Sequence, residues 1–212
     1  FWQIPFVAAL DAYLYDARIR LTMPETEDTR VAIIDIDEKS LAELGRWPWS
    51  RNVVAELVRK LSDDYKVSVI CFDIVFAEPD SSSGLPALEA VARGQLATDA
   101  LFQKTLSELR PSLDFDAQLA QTLLGRPVVL GYYFSREHHA KHRGVLPAPT
   151  FPPGLFAGRD QAFLRWGGYG ANLPELQAAA AGAGHFNPII DPDGSSRRVP
   201  LLVEYQGAYY GS

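Results

Sequence analysis

The sequence predicts an α/β fold: a mixed sheet with a parallel βαβ core, flanking helices and a β-hairpin near the C-terminus. Three observations carry this. Residues 31–36 (VAIIDI) and 67–72 (VSVICF) are short apolar runs, the pattern of parallel strands covered on both faces. Between them Val54, Leu57, Val58 and Leu61 form one apolar stripe at helical spacing. A strand, a helix and a second strand in this order form a right-handed crossover with parallel strands. The chain of 212 residues, 47% apolar and 22% charged, is long enough to bury a core as one domain over 1–212.

Each element has a local reason. Leu10, Tyr13, Leu14, Ala17 and Leu21 repeat at helical spacing and stop before Pro24, which predicts a helix over 5–20 with that stripe turned to the core. After the strand at 31–36, Asp37 caps a short helix that Gly45 ends. Ser50 caps the helix that carries the Val54 stripe. The second strand follows at 67–72, then a loop at 81–84. A long helix is expected over 86–109 with Pro111 as its breaker, then another over 113–124 and a third strand over 127–134. Residues 135–170 are rich in Gly, Pro, His and aromatics and show no period, which is the pattern of a long excursion. Residues 178–184 read as a helix end made of small residues. Strands over 185–190 and 197–205, joined at Asp193-Gly194, make the hairpin. No internal repeat is visible.

Composition narrows the function classes. A net charge of −6 argues against nucleic acid as a partner, since phosphate binding needs clustered Lys and Arg. The lone cysteine, Cys71, allows no disulfide within the chain, and its apolar run makes it a small core residue. No run of 18 apolar residues is present to cross a bilayer.

Residues i and i+2 on a strand share a face, so Asp35 and Asp37 are expected together at the C-terminal end of the first strand, with Asp73 at the end of the second. That edge is where open α/β sheets bind ligands. Glu38, Glu78 and Asp80 could reach the same rim. Clustered carboxylates need neutralising. A hard cation, Mg or Ca, on Asp35, Asp37 and Asp73 would do so; so would the guanidinium of Arg46 or Arg51. Trp47 and Trp49, around Pro48, could stack on a ligand or fill a lid. The candidate ligand-binding set is therefore Asp35, Asp37, Arg46, Trp47, Trp49, Arg51, Asp73, Glu78 and Asp80. Against it stands a structural reading: Asp37 caps a helix, Asp35 accepts backbone amides, Asp73 pairs with an arginine and the tryptophans pack.

Other patterns are weaker. Asp191-Pro-Asp193-Gly194 imitates the start of a calcium loop but lacks its later ligands, so it reads as a hairpin turn. His138, His139 and His142 sit in one loop with no fourth zinc ligand near. The Asp-Ile-Asp after an apolar strand also resembles magnesium-dependent phosphohydrolases of haloacid-dehalogenase type, with Asp35 as nucleophile and Asp37 as general acid. Glu38 and Lys39 stand where small residues belong, and Asp73 stands where a phosphate-holding hydroxyl belongs, so catalytic residues are not expected.

Taken in order, DIDEKSL (35–41), G-R-W-P-W-x-R (45–51) and FDIVFAEPD (72–80), followed by GHFNPIIDPDGSSRRVPLLVEY (184–205), resemble the type-2 CHASE domain. This family supplies extracytoplasmic sensory modules to bacterial adenylate and diguanylate cyclases, histidine kinases and serine/threonine kinases. Between these segments the chain matches in layout more than in residues. The resemblance implies a sensor that does no chemistry, held in the periplasm by a membrane span entering residue 1, with 1–22 as a membrane-proximal helix and an incomplete C-terminal edge. It also implies an unknown small ligand or ion and a parallel homodimer. Trp2, Phe6, Tyr13 and Tyr15 add apolar area on the first helix for such a contact. A structural dimerisation module that binds nothing is the third alternative.

Overall fold

The structure is a computed structural model that describes residues 5–24, 26–136, 142–159 and 163–212. The chain divides into two compact units, Phe1–Gly45 and Arg46–Ser212.

In the first unit α1 spans Pro5–Thr22, as its spacing predicts. Its stripe does not face a core: Phe6, Leu10, Tyr13, Leu14 and Leu21 are exposed. Within its own unit the described residues offer the stripe no core. The other helix of this unit, α2 over Glu38–Leu44, buries no residue. Asp37 caps α2 as expected, its Oδ1 accepting the Ser40 N–H at 2.8 Å, and Gly45 closes it at a φ of +90°. The strand expected over 31–36 is absent. Ile33 is 92% exposed, and the Val31 N–H turns back to the Asp28 carbonyl at 3.1 Å. An apolar run states a tendency to burial, but a strand exists only where a neighbour supplies its hydrogen-bond ladder.

The second unit is a mixed α/β layer structure. α3 (Arg51–Arg59) runs into a π-helical turn, Lys60–Asp64, which Arg126 ties down through Asp63 at 2.9 Å. β1 is only Ile70–Cys71, and Cys71 is exposed on it, not buried. The long helix expected over 86–109 is two: α4 (Leu85–Arg93) and α5 (Ala100–Leu113). Gly94 ends the first, and Asp99 starts the second by accepting the N–H groups of Leu101 and Phe102. Pro111 does not break α5. It sits in the last turn, so the hydrogen bond it cannot make and the clash of its ring with the preceding turn disturb only the end of the helix. Asp114 caps α6 (Phe115–Leu123).

β2 (Val128–Ser135) is the spine of the sheet. Val129 pairs with Cys71 of β1 and with Gly182 of β5 (Gly182–His185), both parallel, so the two strands flank β2 on opposite edges. The parallel core therefore runs β1–β2–β5 and does not include 31–36. The far half of β2 pairs antiparallel with β4 (Gly168–Gly170). β5 falls where a helix end was expected; the helix there, α7 (Pro174–Ala179), stops earlier. Small residues are required on this strand pair by contact. A Cβ on Gly184 would lie 2.8 Å from the Ser212 backbone, and one on Gly131 of β2 would lie 2.8 Å from the Phe186 ring.

One face of β2 builds both large cores. Val128 and Leu130 pack with Val54 and Val58 of α3, Leu119 and Leu123 of α6 and Leu176 of α7. At about 1.5–3 kcal/mol for each fully buried aliphatic side chain, this cluster dominates the unit's stability. Tyr132 and Phe134 pack instead on Val203, Tyr205 and Tyr210. Those belong to β8 (Leu202–Tyr205) and β9 (Ala208–Gly211), a hairpin turned by Gln206 and Gly207, both at positive φ. β3 (Leu164–Arg165) adds to β8 in parallel. The hairpin expected at Asp193-Gly194 is present, but shorter, as β6 (Ile189–Ile190) and β7 (Ser196–Arg198). Its expected continuation to Tyr205 is the separate strand β8.

Candidate functional site

The Trp-Pro-Trp segment delivers the chain to the N-terminus of α3, and there two of the sequence-predicted residues, Arg51 and Asp80, meet. The Arg51 main-chain N–H donates to Asp80 Oδ2 at 2.6 Å. The cap of α3 is thus a carboxylate from the loop after β1. Ser50, the expected cap, spends its hydroxyl on Asn52 Oδ1. An anion at this end also suits the helix dipole. The Arg51 guanidinium turns inward. Its Nη2 donates to the Glu78 carbonyl at 3.1 Å, its Nε lies 3.4 Å from Asp116 Oδ1, and its plane lies 4.6 Å from the Phe76 ring centre. Asp116 closes the circuit by accepting the Asp80 N–H at 2.7 Å.

This hub is dry: the side chains of Arg51 and Asp116 are 10% and 11% exposed. The Nε–Oδ1 approach is an ion contact without hydrogen-bond geometry, so each of those two atoms lacks a hydrogen bond. Burial pushes the Asp116 carboxyl above its ordinary range, opposed by the Asp80 N–H and by Arg51. Burial acts the same way on Asp80, but the hydrogen bonds from Ser82 and from the Arg51 N–H outweigh it and hold Asp80 low.

The remaining predicted residues do not join this hub. Glu78 is exposed and its carboxylate pairs with Arg143. Trp49 is buried and meets Trp47 edge-on at 5.6 Å, while Trp47 is 37% exposed. Arg46 and Asp73 are exposed in the second unit. Asp35 is exposed in the first unit, and Asp37 is engaged in its cap, which together with the Ser40 hydroxyl lowers its pKa. With no strand at 31–36, the register argument that set Asp35 beside Asp73 loses its premise. Among the described residues no group of three or more His, Cys, Asp or Glu is arranged to hold a metal ion. An open pocket of about 500 Å³ between Val145–Ala148 and Pro174–Ala183 contains none of the predicted residues.

Residues 1–212, the whole chain, match the CHASE2 domain family. The chain belongs to this family. No curated protein and no solved structure matches it. CHASE2 is a sensory domain family of signalling receptors, and its members are generally extracellular domains of membrane receptors. No helix among the described residues is long and apolar enough to cross a membrane.

The C-terminal motif of this CHASE2 domain is a second clamp, which sequence reasoning located without assigning it work. Asn187 is buried, and its amide both accepts the Phe134 N–H and donates to the Phe134 carbonyl, each at 2.8 Å. Asp191 and Asp193, the imitation calcium ligands, are held by Arg197, and Asp191 also by Arg198. These guanidinium contacts keep both carboxyls well below their usual range. Asn172, which no motif indicated, ties the Phe76 segment to β2: its amide accepts the Phe76 N–H and donates to the Gly131 carbonyl. His142 meets the Tyr205 hydroxyl at 3.0 Å and stacks on Tyr169; His138 and His139 lie outside the described residues.

Proposed function

We propose that this CHASE2 domain is the periplasmic sensory module of a bacterial transmembrane receptor whose adenylate or diguanylate cyclase, or histidine or Ser/Thr kinase, lies in the cytoplasm. The domain itself does no chemistry, and an unidentified small molecule or ion biases the receptor through different affinities for its two states. The observation that carries this reading is α1. Its Phe6, Leu10, Tyr13, Leu14 and Leu21 form an exposed apolar stripe that its own unit leaves open. Such a stripe suits a two-fold contact with the same helix of a second copy. A shift or rotation of the paired helices then carries the signal between two packed arrangements.

The test is disulfide cross-linking of single-Cys variants at positions 6–21 in the full-length receptor, in a Cys71→Ser background. Dimer yield is expected to rise and fall with the helical period. Absence of cross-links at every position rules the lever out. The claim of no chemistry has its own measurement. The purified chain is expected to leave a generic phosphomonoester intact in the presence of magnesium. Turnover that Asp35→Asn abolishes would replace the sensor with a phosphohydrolase.

A further inference from the structure

We propose that His185 is an acid-operated latch: protonation of its ring prises β5 from the aromatic layer formed by β2, β8 and β9. His185 ends the parallel strand β5, is 3% exposed, and packs edge-on against Tyr132 at 6.2 Å and Phe134 at 6.0 Å. Both ring nitrogens are buried with no hydrogen-bond partner among the described residues. A neutral imidazole is one donor and one acceptor; the protonated ring is two donors and a full charge. Leaving the neutral ring unpartnered is tolerable, but burying the charged ring without a partner is far more costly.

Among the described residues no side chain on the strands packed most closely against β5 offsets that charge, and the terminal carboxyl of Ser212, which lies beside Gly184, makes no hydrogen bond to either ring nitrogen. The strands packed against β5 are β2 and β9, and their titratable residues are Tyr132, Tyr133, Tyr209 and Tyr210. Burial holds Tyr132 and Tyr210 above the ordinary tyrosine range, so both stay neutral in acid. The Tyr132 hydroxyl is already spent on the Gly211 carbonyl at 3.2 Å. Phe134 cannot yield locally, because Asn187 grips its backbone from both sides. What remains is to move β5, which the close contact of Gly184 with the Ser212 backbone ties directly to β9.

Burial alone depresses the His185 pKa below its ordinary 6.5. The stabilisation from the neutral ring is therefore complete above pH 6.5. It is lost as pH falls below 6.5 towards the depressed folded value. The latch goes beyond the sensor reading, and its failure leaves that reading standing.

The experiment is urea unfolding of the 212-residue chain at pH 7.5, 6.5 and 5.5. Three proteins are compared: the wild type, His185→Phe, and a variant with His138, His139 and His142 all changed to Gln. The wild type and the triple variant are expected to lose up to tenfold in folding constant per pH unit below 6.5. His185→Phe is expected to lack that component. An equal slope in His185→Phe and wild type, or a flat wild type, overturns the latch. The triple variant keeps His185 as its single histidine, so ring NMR reads it even if His185→Phe does not fold. A resonance that stays at its neutral position at pH 6 while the fold persists supports the latch. One that titrates near 6.5 in the folded state overturns it.

Discussion

Arg51→Met is expected to destabilise the second unit by about 3–5 kcal/mol, the cost of stranding a buried charge. Met fits beside Phe76, so the lost packing is small and the loss is electrostatic. What it strands is Asp116, whose side chain is 11% exposed and whose Oδ1 then faces no cation. The Glu78 carbonyl loses its donor as well. Adding Asp116→Leu removes the stranded charge, and the pair of substitutions is expected to recover most of the loss, since apolar replacement of a buried ion pair is often neutral. The Asp80 N–H and the Glu78 carbonyl then stay unpartnered, which is why the recovery is not complete. Acid separates charge from packing. Burial already raises the Asp116 carboxyl, and losing Arg51 raises it further. A carboxyl whose folded pKa exceeds its unfolded value gains relative stability as pH falls through the folded pKa. The Arg51→Met deficit, measured by urea unfolding, should therefore be smaller at pH 5 than at pH 7.5. A deficit below about 1 kcal/mol, or a double variant no better than the single, would mean that the hub does not bear the load assigned to it.

The parts of the fold legible in the sequence are those decided within one turn of chain. Asp37 and Gly45 bracket α2, and Asp193-Gly194 turns a hairpin, because each acts on residues two to four positions away. The strand expected at 31–36 fails for the opposite reason: its apolar run is local, but a ladder partner is not. β5 is illegible in the sequence because Gly-Ala-Gly-His has no β-branched residue, and the smallness of its Gly184 answers the Ser212 backbone, which only the fold brings near. The candidate site divides the same way. Arg51 and Asp80, both in the candidate set, meet through the Arg51 main-chain N–H, but the carboxylate beside the Arg51 guanidinium is none of the expected rim residues. The carboxylate is Asp116, on a helix 36 residues beyond Asp80, and no spacing rule reaches it.

Asn172→Ala is expected to cost about 2–6 kcal/mol, because it leaves two buried backbone groups unpaired at about 1–3 kcal/mol each. Asn172 is fully buried. Its Oδ1 accepts the Phe76 N–H at 2.9 Å and its Nδ2 donates to the Gly131 carbonyl at 3.0 Å, so one amide holds the loop after β1 against the middle of β2. The Leu173 N–H bonds the Phe76 carbonyl at 2.8 Å, but that carbonyl belongs to the next peptide group, and the bond cannot replace the acceptor lost to the Phe76 N–H. Asn172→Asp refines the test. An ionised carboxylate still accepts from Phe76 but opposes the Gly131 carbonyl, whereas a protonated one donates to it. Burial raises the new carboxyl's folded pKa above its unfolded value, so the stability it contributes is present at low pH and lost as pH rises through the folded pKa. Asn172→Asp should therefore lie near the wild type in mild acid and near Asn172→Ala at pH 8. Amide exchange at Phe76 reads the same bond directly, and protection there that survives Asn172→Ala would show that the loop is held by something else.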